Sequence, residues 1–161
     1  MQTIKNGISN PSIKVTTAQR EPDWYRLAES DPNKVLPNVE VIGANIYPFW
    51  GNSPEKINDK SVAYNIQATV NNLKSKTNKV VIVTEEGWPS CGGNPNTQDK
   101  NIQSELDYFT SWKKRNTPFD SYYFAAYDNY KSTCPNGDAN DHFGLCLASG
   151  ATKDSGLVTC R

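Results

Sequence analysis

The sequence carries no surplus of either charge. Its 17 lysines and arginines are balanced by 17 aspartates and glutamates, and no run of like charge gathers anywhere along it. The electrostatic footprint of a nucleic-acid or anionic-membrane binder is therefore missing, and a neutral partner is expected. No apolar stretch approaches the roughly 20 residues that span a bilayer, and the N-terminal MQTIKNGISNP has neither the apolar core nor the cleavage site of a secretory leader. GxGxxG and GKS/GKT phosphate loops are absent, which argues against a nucleotide fold. None of the four cysteines forms a CxxC pair, so no zinc site, and more broadly no metal or cofactor, is expected. His142 stands alone as the histidine; its place in HFGL after a loop reads as structural, which argues against a nucleophilic triad.

What is present suits one compact domain. The chain has 161 residues, of which 36% are hydrophobic and 11% aromatic, enough to fill a core. Four cysteines, Cys91, Cys134, Cys146 and Cys160, make an even count in a polar chain. Disulfides formed in an oxidising, extracellular or cell-wall setting are the economical reading, with four free thiols as the alternative.

Apolar patterning alternates strands and helices. IKVTTA, VEVIGANIYPFW, KVVIVTEEGWP and SYYFAAYDNY read as strands near residues 13–18, 39–47, 79–85 and 121–128. EPDWYRLAESDP reads as a short helix ended by Pro32. Ser61 is placed to cap a second helix, whose apolar positions Val62, Ile66, Val70 and Leu73 recur at helical spacing. A third carries Ile102, Leu106 and Phe109 along one face, and a Gly/Asn/Asp/Ser-rich tail, 131–161, holds three of the cysteines. Near-continuous apolar strands alternating with helices predict a parallel sheet covered by helices. Polar and aromatic residues gather at the strand C-termini: Asn45 and Tyr47, Glu85 and Trp88, Asp128 and Tyr130. That edge carries the catalytic groups in parallel α/β architecture.

A carboxylate there beside Tyr47, Phe49, Trp50 and Trp88 suits carbohydrate, because flat rings stack on sugar faces while Asn, Asp and Tyr bond the hydroxyls; core packing is the competing role for the rings. In VVIVTEEGWPSCGG, Glu85 ends an apolar run where an acid is costly unless it lies at an open rim. Glu86 points the other way along an extended strand, so only one of the two faces the site.

These residues carry a resemblance. TEEGWPS resembles the nucleophile segment T/S-E-x-G-W-P-S of glycoside hydrolase family 17, the fungal and plant β-1,3-glucanases and glucanosyltransferases. VIGANIYPFW is similar to that family's strand-six segment, FAAYDNYK to its strand-eight segment FxAFDExxK, HFGL to its E-x-H-W/F-G-L, and IKVTTA to its strand five. The resemblance implies an α/β fold, the (β/α)4 half of a TIM (β/α)8 barrel comprising strands five to eight, with residues 1–161 as one half-barrel domain. It also implies retaining hydrolysis or transglycosylation of β-1,3-glucan through a covalent glycosyl-enzyme on Glu85 as nucleophile. Asn45, Tyr47, Phe49, Trp88, Tyr127, Asn129 and Lys131 would contact substrate, although a solvated surface position suits Lys131 as well.

The resemblance covers only half of a fold that usually needs roughly 250 residues. Retaining glycosidases use two carboxyl groups about 5 to 5.5 Å apart, and the family's acid/base glutamate lies after strand four, in a segment with no counterpart here. YDNYK and Asn140 also replace family glutamates. An open half-barrel exposes two strand edges, which a homodimer would close, bringing the partner copy's Asp128 opposite Glu85 as acid/base. A fragment completed elsewhere, and a catalytically silent carbohydrate-binding half-barrel, are the alternatives. Within this topology Cys91 and Cys134 fall in neighbouring loops after strands seven and eight and are expected to pair, leaving Cys146 with Cys160; Cys134 with Cys146 is the competing pairing.

Overall fold

The computed structural model describes residues 6–10, 12–30, 32–50, 59–92, 100–129, 134–135, 137–153 and 158–160, with the backbone alone for 59–64. The elements run β1 (Ala18–Arg20), α1 (Glu21–Ser30), β2 (Ile42–Asn45), α2 (Asp59–Thr77), β3 (Val81–Glu86), α3 (Ile102–Lys114) and β4 (Ser121–Tyr123). Short 3-10 turns lie at Leu36–Asn38, Pro48–Trp50 and Ala139–Asp141. The strands form one sheet in the order β1-β2-β3-β4, with β1 parallel to β2 and β2 to β3. The order is sequential, without the reversal that marks a doubly wound sheet.

The helix boundaries have local causes. α1 opens with Glu21 and Asp23 in its first turn, where acids suit the helix dipole, and stops two residues before Pro32. α2 begins at Asp59, so Ser61 lies inside its first turn rather than capping it. It stops before Asn78, whose φ of 53° is the left-handed turn that asparagine tolerates, and whose N–H closes on the Lys74 carbonyl at 2.8 Å. α3 is capped by Asn101, whose side chain accepts from the Ser104 N–H at 2.8 Å.

The first strand is displaced from the expected 13–18 to Ala18–Arg20, and the fourth is shorter than expected. Ile13–Thr17 does not join the ladder as regular strand. The Glu40 side chain accepts from Val15 N–H at 3.0 Å and the Thr16 hydroxyl donates to the Val41 carbonyl at 2.6 Å, so side chains take over positions that a ladder would fill. β4 ends at Tyr123, and the chain after it pairs with the tail: Ala125 N–H donates to Phe143, and Leu145 and Cys146 N–H donate to Ala125 and Ala126. Gly144 permits this approach, since a Cβ there would lie 2.0 Å from the Asp128 nitrogen.

The chain packs as two compact units, residues 1–46, 66–85 and 117–122, and residues 47–65, 86–116 and 123–161. In the first, Trp24, Leu36, Val39, Ile42, Ala44, Ile46, Val81 and Val83 enclose Ile66, Val70 and Leu73 of α2. The described members of the predicted helical stripe, Ile66, Val70 and Leu73, are thus buried. The Trp24 indole N–H donates to the Gly43 carbonyl at 2.7 Å inside this core. The second unit has its own core of Phe49, Trp88, Tyr108, Ala139 and Phe143, and holds disulfides Cys91–Cys134 and Cys146–Cys160, each with Cα atoms 5.9 Å apart. Cys134 does not pair with Cys146. On α3 the buried side is Ser104, Glu105, Leu106, Tyr108 and Ser111. Ile102, expected on that face, is 41% exposed, because the helix turns a polar stripe inward.

Replacing Trp24 by Phe keeps most of the apolar ring and leaves the Gly43 carbonyl without its donor. Urea denaturation should show a loss of about 1–3 kcal/mol; an unchanged midpoint would show that the bond contributes nothing.

Candidate functional site

At the end of the first unit's sheet, Asn45 of β2 faces β3. The ladder runs Ile42 with Val81, Gly43 with Ile82 and Ala44 with Val83, then skips a residue to pair Asn45 with Glu85. Thr84 is therefore an extra residue, a β-bulge. It resets the side-chain alternation: β3 reads buried, half-buried, buried, half-buried, half-buried, buried from Val81 to Glu86. In an unbroken strand Glu85 would follow Val81 and Val83 to the buried face and Glu86 would emerge. The bulge instead leaves Glu85 half-buried and turns Glu86 inward. The Thr84 hydroxyl donates to the Asn45 side-chain oxygen at 2.7 Å, and the Ile46 N–H donates to the Glu85 carbonyl at 2.8 Å. Asn45, Thr84 and Glu85 are thus fixed together.

Glu86 belongs to the second unit, where it is fully buried. It accepts a hydrogen bond from the Tyr108 hydroxyl at 2.7 Å and pairs with the Arg115 guanidinium, itself 6% exposed. Burial and the adjacent Glu86 charge push the Tyr108 hydroxyl well above its ordinary range. Gly87 follows because the chain passes against the Phe124 carbonyl, which a Cβ would approach to 2.1 Å.

The aromatic residues of this unit separate into two sets. Phe49 and Trp88, expected against substrate, are 0% and 2% exposed. Their rings meet edge-on at 5.3 Å, and Trp88 stacks on Tyr108, so neither presents an open ring face. Tyr47 is half-buried and lies edge-on to Phe143 at 5.2 Å and to Phe124 at 6.1 Å. Phe124 and Tyr127 are 39% and 45% exposed. Phe124 was not singled out in the sequence, where it reads as one more apolar position of a strand; its exposure follows from β4 ending at Tyr123. Asn129 is half-buried and its N–H donates to the Asp141 carbonyl. Lys131 lies outside the described residues.

Asp128, expected as an acid/base offered to a second copy, is held inside this unit. Its side chain is 4% exposed, and its Oδ1 accepts from the Gly144 N–H at 2.9 Å and the Lys153 ammonium at 2.8 Å. Lys153, 2% exposed, also lies 3.3 Å from both oxygens of buried Glu105 and donates to Ser90 Oγ at 2.6 Å. One ammonium cannot neutralise two carboxylates. Glu105 has the longer contacts, and desolvation pushes its carboxyl from 4.5 to about 8, against the pull of Lys153. This is the setting of an ion-paired packing group rather than of a proton donor open to substrate. His142, 1% exposed, lies 3.8 Å from Cys134 Sγ. Cys91, Cys134 and His142 place ligand atoms within 4.8 Å of one another, yet both sulfurs are committed to a disulfide, so the trio offers a metal one imidazole. Among the described residues no helix is long and apolar enough to cross a membrane.

Comparison with known proteins identifies the family. Residues 1–144 match the family described as the BtgE/BtgC glycoside hydrolase domain, and the chain belongs to it. It is 28% identical over 108 residues to a probable glucan endo-1,3-beta-glucosidase, btgC, of Aspergillus fumigatus, an alignment covering 65% of this chain and 14% of that protein. A glycoside hydrolase family 17 β-1,3-glucanosyltransferase from Rhizomucor miehei superposes with a TM-score of 0.69 at 24% identity, covering 98% of this chain and 55% of that one. An endo-laminarinase from Formosa Hel1_33_131 gives 0.72 at 16% identity, covering 98% and 52%. The fold is the parallel α/β fold of these TIM-barrel neighbours, and the chain spans about half of their length.

The buried pair makes a testable energetic claim. Arg115→Met removes the guanidinium paired with buried Glu86 and should cost roughly 3–5 kcal/mol in urea denaturation, while adding Glu86→Gln should recover part of that loss; equal stability of the single and double variants would contradict the pairing. Glu105 makes a pH claim. Its folded-state carboxyl lies above the unfolded value, so stability is present at low pH and lost as pH rises from 4.5 through about 8. Thermal melts across that window should fall with pH in the native chain and flatten in Glu105→Gln.

Proposed function

We propose that this chain supplies the nucleophile half of a retaining glycoside hydrolase or transglycosylase acting on β-1,3-glucan. Glu85 attacks the anomeric carbon as a carboxylate and forms a covalent glycosyl-enzyme, which water or a second sugar then releases. The observation that carries the reading is the bulge in β3, which leaves this acid half-buried at the strand's C-terminal end in a member of a glycoside hydrolase family. Asn45 supports it: with its side-chain oxygen taken by Thr84, its amide nitrogen is the group turned to a sugar hydroxyl. Within the second unit by itself, Tyr47, Phe124 and Tyr127 offer ring faces to a sugar, Phe49 and Trp88 back Tyr47 in its core, and Asn129 offers a polar group. A related solved structure is an active-site mutant of the Rhizomucor miehei enzyme in complex with laminaritriose, which supports a β-1,3-linked ligand here. The two disulfides support an extracellular or cell-wall setting.

The acid/base is assigned to a second barrel half. A homodimer would supply Asp128 from a partner copy, but burial of Asp128 against Lys153 favours a half-barrel with its own exposed carboxylate. The second reading, glucan binding without turnover, gains support from the same burial.

An activated substrate separates the two, because a good leaving group needs no general acid. A fluoro-substituted laminaribioside carrying a dinitrophenolate leaving group should add one glycosyl unit to the intact mass, mapped to the Glu85 peptide, and Glu85→Gln should abolish the adduct. No adduct, together with glucan binding undiminished in Glu85→Gln, would establish the binding reading instead.

A further inference from the structure

The buried cluster of Lys153, Asp128 and Glu105 takes no part in the chemistry proposed above. We propose that it forms an intramolecular amide bond between the Lys153 ammonium nitrogen and the Asp128 side-chain carbonyl carbon, with Glu105 as the proton carrier. The three groups are held in contact in a dry interior. Lys153 Nζ lies 2.8 Å from Asp128 Oδ1 and 3.3 Å from each Glu105 oxygen, and the three side chains are 2%, 4% and 0% exposed. Ser90 Oγ at 2.6 Å and the His142 carbonyl at 3.5 Å hold the same ammonium, the Gly144 N–H holds Asp128 Oδ1, and His142 Nδ1 stands 3.7 Å from Asp128 Oδ2.

In the first step the ammonium passes a proton to the carboxylate it touches, which leaves a neutral amine beside a neutral carboxylic acid. The amine lone pair then forms the C–N bond at Asp128 Cγ. Glu105, which holds its proton to about pH 8, lends that proton to the departing hydroxyl and takes one back from the nitrogen. One water leaves, no net proton is consumed, and neither an oxidant nor an activating nucleotide is required. Groups held in contact react with effective molarities of about 10⁵ M or more, and exclusion of water slows the reverse hydrolysis. The product ties the segment after β4 to the tail that the Cys146–Cys160 disulfide also anchors.

The test is the intact mass of the folded protein, with both disulfides verified, followed by sequencing of the linked peptide. The native chain should be lighter than its sequence by one water, with a branched peptide joining residues 128 and 153. Lys153→Arg and Glu105→Gln should each restore the full mass, and Asp128→Asn should lose one ammonia instead of water. Full mass in the folded, disulfide-bonded native chain overturns the proposal. So does a water loss that persists in Lys153→Arg, or one whose peptide maps elsewhere, and the native chain's branched peptide decides the matter even if a variant fails to fold.

Discussion

A carboxylate cannot stay charged in a protein interior unless something answers its charge, and the second unit is arranged around that constraint. Among its described residues are three buried acids, each accommodated differently. Glu86 takes a guanidinium and a tyrosine hydroxyl, Asp128 takes an ammonium and a backbone N–H, and Glu105 keeps its proton. Each arrangement fixes a different stretch of chain. Arg115 ties the end of β3 to the end of α3, and Lys153 ties the tail to Ser90, α3 and the segment following β4. Asp128, which the sequence offers as a catalytic acid, is here a link between segments of the chain.

Glu85 differs from its neighbour through backbone geometry alone. Adjacent residues on a regular strand face opposite ways, so the sequence permits one of the pair to face the site without saying which. The extra residue in β3 makes the choice: it sets Thr84 and Glu85 together on the less buried face and sends Glu86 inward. A bulge costs ladder bonds, and its position at the end of a strand, next to a candidate nucleophile, is where such irregularities re-aim a side chain.

Much of the first unit was legible in the sequence. Val62, Ile66, Val70 and Leu73 mark a helix by spacing, and the described members of that stripe, Ile66, Val70 and Leu73, are fully buried. Apolar runs between turn residues mark β2 and β3, whereas β1 falls at Ala18–Arg20, past most of the run at 13–18, and β4 ends at Tyr123, five residues before 128. Less legible was the second unit, because it is built on polar burial. Apolar periodicity puts Ile102 on the buried face of α3, whereas the helix buries Ser104, Glu105 and Ser111 there. Likewise, Phe49 and Trp88 read as rim residues, with core packing the competing role, until their packing against Tyr108 and Phe143 is known, and Phe124 reads as strand until β4 is seen to end one residue earlier.

By itself the sequence determined what depends on neighbours along the chain: the alternation of strand and helix, the C-terminal strand edge that carries Asn45 and Glu85, and the family to which TEEGWPS points. Tertiary structure decided what depends on partners distant in sequence. The skipped residue opposite Asn45 selects between two adjacent glutamates, and Lys153 reaches back 25 residues to Asp128 and 48 to Glu105. The charge state of a buried acid is set by such partners, which local pattern does not specify.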